Sequence, residues 1–241
     1  MTEAADTNAA IWKSEAQVRH WLSTGAAREA RRVPQWRLMG ELLPLADDAV
    51  FTFADLGAGT GAAARALLDL YPHSSAVLGE YSPQMMAEGE TAMAPYAGRY
   101  RYVTFDLNAG VWPEEMPEHL PAIVTSMCVH HVSDERKRDL FAEIASHLEP
   151  GGWYLNLDPV SSDDPEVTAA WARANDREDP DAAEKAQHQS PEEVARHENH
   201  VRYIAPLAPQ LEMLVDAGLT AVELYWRQCD MVVFGGMRPR G

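Results

Sequence analysis

Cysteine is nearly missing from this chain: Cys128 and Cys229 are the two present in 241 residues. Two cysteines exclude a disulfide scaffold and argue for a reducing compartment. Long apolar runs are missing as well, since none reaches the ~18 residues of a membrane span. The opening stretch MTEAADTNAA has neither the basic segment nor the apolar core of a secretory signal. These absences predict a cytoplasmic protein with no membrane partner. Positive charge is scarce: 20 Lys and Arg stand against 37 Asp and Glu, a net charge of −17. That balance opposes non-specific attraction to nucleic acid or anionic membranes. No internal repeat or low-complexity segment is visible. What remains is ordinary globular composition, 46% hydrophobic and 24% charged, which excludes a disordered chain.

Residues from about Ile11 to Leu45 read as two helices, with Trp12 and Trp21 on the first and Trp36 following Pro34. This N-terminal cover is expected to span residues 1–48. The period then changes. Val50 to Ala54 is short, apolar and rich in β formers, and it runs into Asp55-Leu56 and a glycine cluster. Strands over 75–79, 100–105, 122–127 and 153–157 alternate with helices over 62–70, 84–93 and 134–148. This order predicts a doubly wound α/β fold, a mostly parallel sheet with helices on both faces. The final strands, Ala221 to Trp226 and Met231 to Phe234, are too close for a helical crossover and must form an antiparallel hairpin. Residues 161–206 break the rhythm, with many acids and few apolar residues. They are expected to be a helical insertion over the sheet edge, acting as a lid.

Asp55-Leu56-Gly57-Ala58-Gly59-Thr60-Gly61 is the sharpest motif. Glycines at a strand-to-helix join allow a tight turn and close approach of a ligand to free N–H groups. A dinucleotide loop has the spacing G-x-G-x-x-G, whereas this one is G-x-G-x-G, preceded by a carboxylate. That carboxylate would repel a pyrophosphate and suits a ligand bearing an ammonium group. The second strand ends at Glu80, where an acid can accept from both hydroxyls of a ribose. The third ends at Asp106-Leu107, where an acid can accept from an exocyclic amine beside an apolar contact. Three acids at three strand C-termini lie along one crevice, the ligand position expected of an open α/β sheet.

On these residues the chain resembles the class I S-adenosylmethionine-dependent methyltransferases. FADLGAGTG, VLGEYSPQMM, YVTFDLN, TSMCVHHVSD and LEPGGWYLNLD are similar to successive strand motifs of that family. The resemblance implies a seven-stranded sheet of order 3-2-1-4-5-7-6 with strand 7 antiparallel, over residues 49–241. It implies that Asp55 and the loop glycines Gly57, Gly59 and Gly61 face the methionine end of S-adenosylmethionine. Glu80 then takes the ribose, Tyr81 lies beside the adenosine, and Asp106 and Leu107 hold the adenine. Met127, Cys128 and His131 lie near the sulfonium. Glu80 stands where aspartate is commoner in the family.

Methyl transfer is an in-line displacement, so the enzyme's task is to aim a nucleophile and, for a hydroxyl or amine, to remove its proton. His130 and His131 end the fourth strand, and in an extended segment only one of them can face the site. The resemblance favours His131 as the catalytic base. Asp158, at the end of the fifth strand, should open towards the acceptor. His200 and Tyr203, at the end of the insertion, are candidate substrate contacts. His197-Glu198-Asn199-His200 has a spacing that puts two imidazoles on one helical face, but no third ligand is fixed by spacing, and no metal is expected. The Pro-Pro-aromatic motif of base-amino methyltransferases is replaced by Ser126-Met127-Cys128-Val129. A small organic acceptor is therefore the expected substrate. The alternatives are a tRNA wobble-base methyltransferase and a non-catalytic module that only binds S-adenosylmethionine.

Overall fold

The β-branched and aromatic segments of the sequence form a seven-stranded sheet, and the helices between them bury their apolar faces against it. The computed structural model describes residues 25–179, 184, 194, 198 and 201–241. The strands are β1 (Thr52–Leu56), β2 (Ser75–Glu80), β3 (Tyr100–Thr104), β4 (Leu120–Ser126), β5 (Leu148–Pro159), β6 (Thr220–Gln228) and β7 (Met231–Met237). Their order is β3-β2-β1-β4-β5-β7-β6. Neighbours from β3 through β5 pair parallel, while β7 is antiparallel to both β5 and β6. This is the order and sense that the family resemblance implies.

The helices are α1 (Gly25–Glu41), α2 (Ala62–Leu70), α3 (Pro83–Ala92), α4 (Asp134–His147), α5 (Pro165–Glu178) and α6 (Leu207–Asp216). Side chains alternate across the sheet, so consecutive residues of β5 enter different layers. Tyr154 joins Leu140, Phe141 and Ile144 of α4 and Met213 and Leu214 of α6. Leu155 and Leu157 join Trp36 and Met39 of α1 and Leu67 and Leu68 of α2. Each fully buried Leu or Phe contributes ~1.5–3 kcal/mol, so the two layers together dominate the fold's stability.

Three local readings need correction. Pro34 lies inside α1 and does not open a second helix. Burial of Trp36 and Met39 against α2 offsets the N–H that proline removes. The preceding helix expected over Ile11 to Leu22 lies outside the described residues. The last helix, for which the sequence pattern predicts Leu211 to Ala217, begins at Leu207, directly after Pro206. The segment after β4 is not extended: Val129–His131 is a short 3-10 helix.

The insertion leaves and returns at one point. Ser161 bridges Pro206, and the Ser161 N–H donates to the Ala205 carbonyl (3.1 Å). Its helix α5 has no buried residue. Polar contacts hold it to the β6–β7 turn at the sheet edge: Gln228 donates to Glu178 (2.7 Å), Asn175 donates to Asp230 (3.0 Å), and Arg227 lies over Trp171.

Candidate active site

The glycine loop joins β1 to α2 at the C-terminal edge of the sheet. Gly57 has φ +69°, and a Cβ there would sit 2.6 Å from the Cβ of Cys128, so no other residue fits without displacing the end of β4. Gly61, the residue before α2, has φ +77°. The Cys128 thiol donates to the Leu56 carbonyl (3.1 Å), which locks the loop against the segment after β4.

Glu80 organises this loop. Its Oε2 accepts from the Gly59 N–H (2.7 Å), and its Oε1 accepts from the N–H groups of Tyr81 (2.9 Å) and Ser82 (2.7 Å). Burial raises its pKa, and these three N–H donors oppose the rise. A carboxylate has about four acceptor positions, so one position, on Oε2, remains for a ligand hydroxyl. On the far side of the loop, the Tyr102 hydroxyl donates to the Gly59 carbonyl (3.0 Å).

Asp55 lies beneath the loop and is buried. Its Oδ2 accepts from the Ala64 N–H (3.2 Å) in the first turn of α2, while Oδ1 has no partner among the described residues. Burial pushes its pKa up to about 7, against the pull of the Ala64 N–H and with help from the charge of Glu80. Asp106 holds its own turn by accepting from the Asn108 N–H (2.9 Å). The neighbouring Leu107 carbonyl accepts from Arg136 (2.6 Å). Both residues remain partly exposed.

After β4 the backbone turns sharply. Met127 has φ 57°, a region that non-glycine residues rarely occupy, and its N–H donates to the Leu157 carbonyl (2.8 Å). The 3-10 helix that follows brings the rings of His130 and His131 together, with centroids 4.0 Å apart at 43°. The extended-strand argument that separated them therefore does not apply. His130 is buried and paired with Asp158, while His131 is partly exposed. Asp158 does not open towards an acceptor: it is 1% exposed, and both of its oxygens are engaged by His130. A backbone N–H and a ring N–H from one residue satisfy the charge that burial would otherwise penalise. Tyr203 sits at the insertion's return, its carbonyl accepting from the buried Lys137 Nζ. His188, His197 and His200 lie outside the described residues. Among the described residues no group of three or more His, Cys, Asp or Glu is placed to hold a metal ion.

Several contacts escaped the sequence reading. Glu29 of α1 accepts from Arg65 (2.7 Å) and from the Thr60 hydroxyl (3.4 Å), and Arg65 also donates to the Thr60 carbonyl (2.9 Å). Trp36 of α1 donates to the Ser126 hydroxyl (2.8 Å) at the end of β4. α1 therefore rests on both walls of the crevice. Trp36 stood out as an aromatic cover residue, but no spacing signal joins Glu29 to a loop more than thirty residues away (|i−j| of 31 and 36 for its two partners).

The residues fit an adenosyl sulfonium. Glu80 keeps one acceptor position, Asp55 keeps an unpartnered oxygen beneath the loop, and the loop's nearby cation, Arg65, is already paired with Glu29. A crevice lined by acids matches a cationic ligand and opposes a pyrophosphate.

Comparisons with known proteins agree with this geometry. The family model described as "Methyltransferase domain" matches residues 53–152. No curated protein matches the chain in sequence. Among solved structures, an O-methyltransferase family protein from Burkholderia thailandensis superposes with TM-score 0.65 at 18% identity, over 95% of this chain and 64% of that one. Phosphoethanolamine N-methyltransferase 2 of Haemonchus contortus, solved with S-adenosyl-L-methionine, gives 0.61 at 14% identity, over 86% of this chain and 52% of that one. A Haloferax volcanii protein solved in complex with the Trm112 methyltransferase activator gives 0.61 at 15% identity, over 92% and 98%. The chain thus spans about half to two thirds of the first two. The sheet order, the glycine loop and the family match define a class I methyltransferase fold. Residues 53–152 match the methyltransferase domain model, and they lie within a sheet of that fold.

Proposed function

We propose that this protein transfers the methyl group of S-adenosylmethionine to a small organic acceptor. The observation that carries the reading is Glu80, which holds the glycine loop through Gly59 and keeps one acceptor position for the ligand. Asp55, Gly57, Gly59, Gly61, Glu80, Tyr81, Asp106, Leu107, Met127 and Cys128 form the cofactor crevice in this reading. When bound, the cofactor supplies an electrophilic methyl on a cationic sulfur, which becomes a neutral thioether on transfer.

The chain's own residues orient the acceptor, exclude water and take up a proton. His131, partly exposed at the end of the 3-10 helix after β4, takes up the acceptor's proton in this reading. Burial and then the charge of Asp158 hold the Cys128 thiol well above its ordinary range, so it stays protonated and does not compete as nucleophile or base. The insertion, residues 161–206 with His200 and Tyr203 near its end, closes over the acceptor and selects it. Residues 1–48 cover the crevice from the other side, with Trp36 and Glu29 as their described contacts. The net charge of −17 disfavours a tRNA substrate.

The experiment is a screen of small phenols, carboxylic acids and amines, scored by release of S-adenosylhomocysteine. Turnover on one chemical class supports the reading. Tight cofactor binding with no turnover on any small acceptor, but turnover on tRNA, would replace it.

A further inference from the structure

Strand β5 ends on a carboxylate that reaches no solvent. Asp158 Oδ2 accepts from the His130 backbone N–H (2.8 Å), and Oδ1 pairs with His130 Nδ1 (2.7 Å). An ionised carboxylate only accepts, so Nδ1 of His130 carries a proton in this pair. One residue back, the Leu157 carbonyl accepts from the Met127 N–H. Consecutive residues of β5 thus grip both ends of the turn after β4. A non-glycine residue in the left-handed region is strained and persists where its surroundings over-determine it, as here at Met127. The same grip fixes His130, against whose ring His131 packs.

We propose that Asp158 and His130 are a buried positioning pair, in which Asp158 fixes the tautomer and orientation of His130, and His130 presents His131 to the acceptor. This rests on the methyltransferase reading above and changes the role of Asp158 within it. Asp158 acts through His130 and is not an acceptor ligand. Among the described residues, the titratable groups against the pair include His131, Cys128 and Tyr154. Burial foremost raises both the Cys128 thiol and the Tyr154 phenol well above their ordinary ranges, and the charge of Asp158 adds to this.

The test is long-range proton–nitrogen NMR of the imidazoles in the full chain. In the wild type His130 is expected as the Nδ1–H tautomer. Asp158→Asn should abolish that fixed tautomer and shift the ring resonances of both His130 and His131, while exposed His73 and His119 stay in place. Asp158→Glu, which keeps the carboxylate, should restore the Nδ1–H form. A wild-type His130 protonated at Nε2 alone would overturn the proposal, and this reading stands even if Asp158→Asn fails to fold. So would an Asp158→Asn protein whose His131 resonances do not move. S-adenosylhomocysteine titrated into the same wild-type sample separates the two claims: absence of binding defeats the methyltransferase reading and leaves the tautomer result intact.

Discussion

Asp55 carries a cost that the fold accepts for the sake of its position under the glycine loop. Its pKa rises from 3.8 to about 7 on folding, chiefly through burial. Between those values the folded chain holds a proton that the unfolded chain has released, so stability falls as pH rises from about 4 to about 7 and is level above that. Asp55→Asn should remove this slope and leave the protein more stable at pH 8, by an amount read from urea unfolding at several pH values. A cationic ligand beside Asp55 favours its ionised form. Cofactor binding near pH 6 should therefore release a proton, seen in calorimetry as a dependence on the buffer's ionisation enthalpy. Glu80 differs because its donors already hold it. Glu80→Gln puts an amide NH₂ where an N–H must be accepted and removes the charge. The loss of one charge-assisted hydrogen bond, ~1.5–3 kcal/mol, should weaken cofactor binding by roughly ten- to a hundredfold. An unchanged affinity would mean that the end of β2 does not meet the ribose. The glycine loop was legible because its residue types permit little else at a strand-to-helix join. The role of His130 was not, because the argument assumed an extended strand, and the 3-10 helix over Val129–His131 removes the alternation on which it rested.

At the scale of elements, α1 contacts the glycine loop and the end of β4, while helix α5 of the insertion is held at the β6–β7 turn. Trp36 links α1 to the end of β4 through one hydrogen bond to Ser126. Trp36→Phe keeps most of the buried area and should cost about 1 kcal/mol from that bond, measured by denaturant unfolding, and should also loosen cofactor binding. At the other side, Lys137 is fully buried in α4 and donates to Asp134 and to the Tyr203 carbonyl. Lys137→Met should free the return of the insertion while preserving the core, seen as faster proteolysis near residue 203 with far-UV dichroism unchanged. If the insertion closes over the acceptor, Tyr203→Phe and His200→Ala should lower turnover with little change in cofactor affinity. Wild-type turnover in both would move selectivity to the N-terminal helices. The insertion stood out in the sequence by composition, but its anchors did not. Ser161 meets Pro206 and Lys137 meets Tyr203 only once the sheet has brought β5, α4 and the chain before α6 together.

For the whole molecule, the alternating periods made a doubly wound, mostly parallel sheet legible, while its strand order came from the family resemblance. Loop length alone made the last two strands antiparallel to each other, and the observed pairing of β6 with β7 agrees. The meeting of sites was less legible. Glu80 reaches Gly59 across 21 residues because β1 and β2 pair in a register that sets Leu56 against Gly79, and no local pattern encodes that offset. The sheet gathers Asp55, Glu80, Cys128 and Asp158 at one edge, where burial and mutual charge favour a cationic guest. The most direct test is calorimetry of the full chain with S-adenosylhomocysteine, S-adenosylmethionine and NAD in turn. Saturable binding of both adenosyl compounds, with no response to NAD, is the expected result. Tight binding of NAD with none of either adenosyl compound would contradict the account.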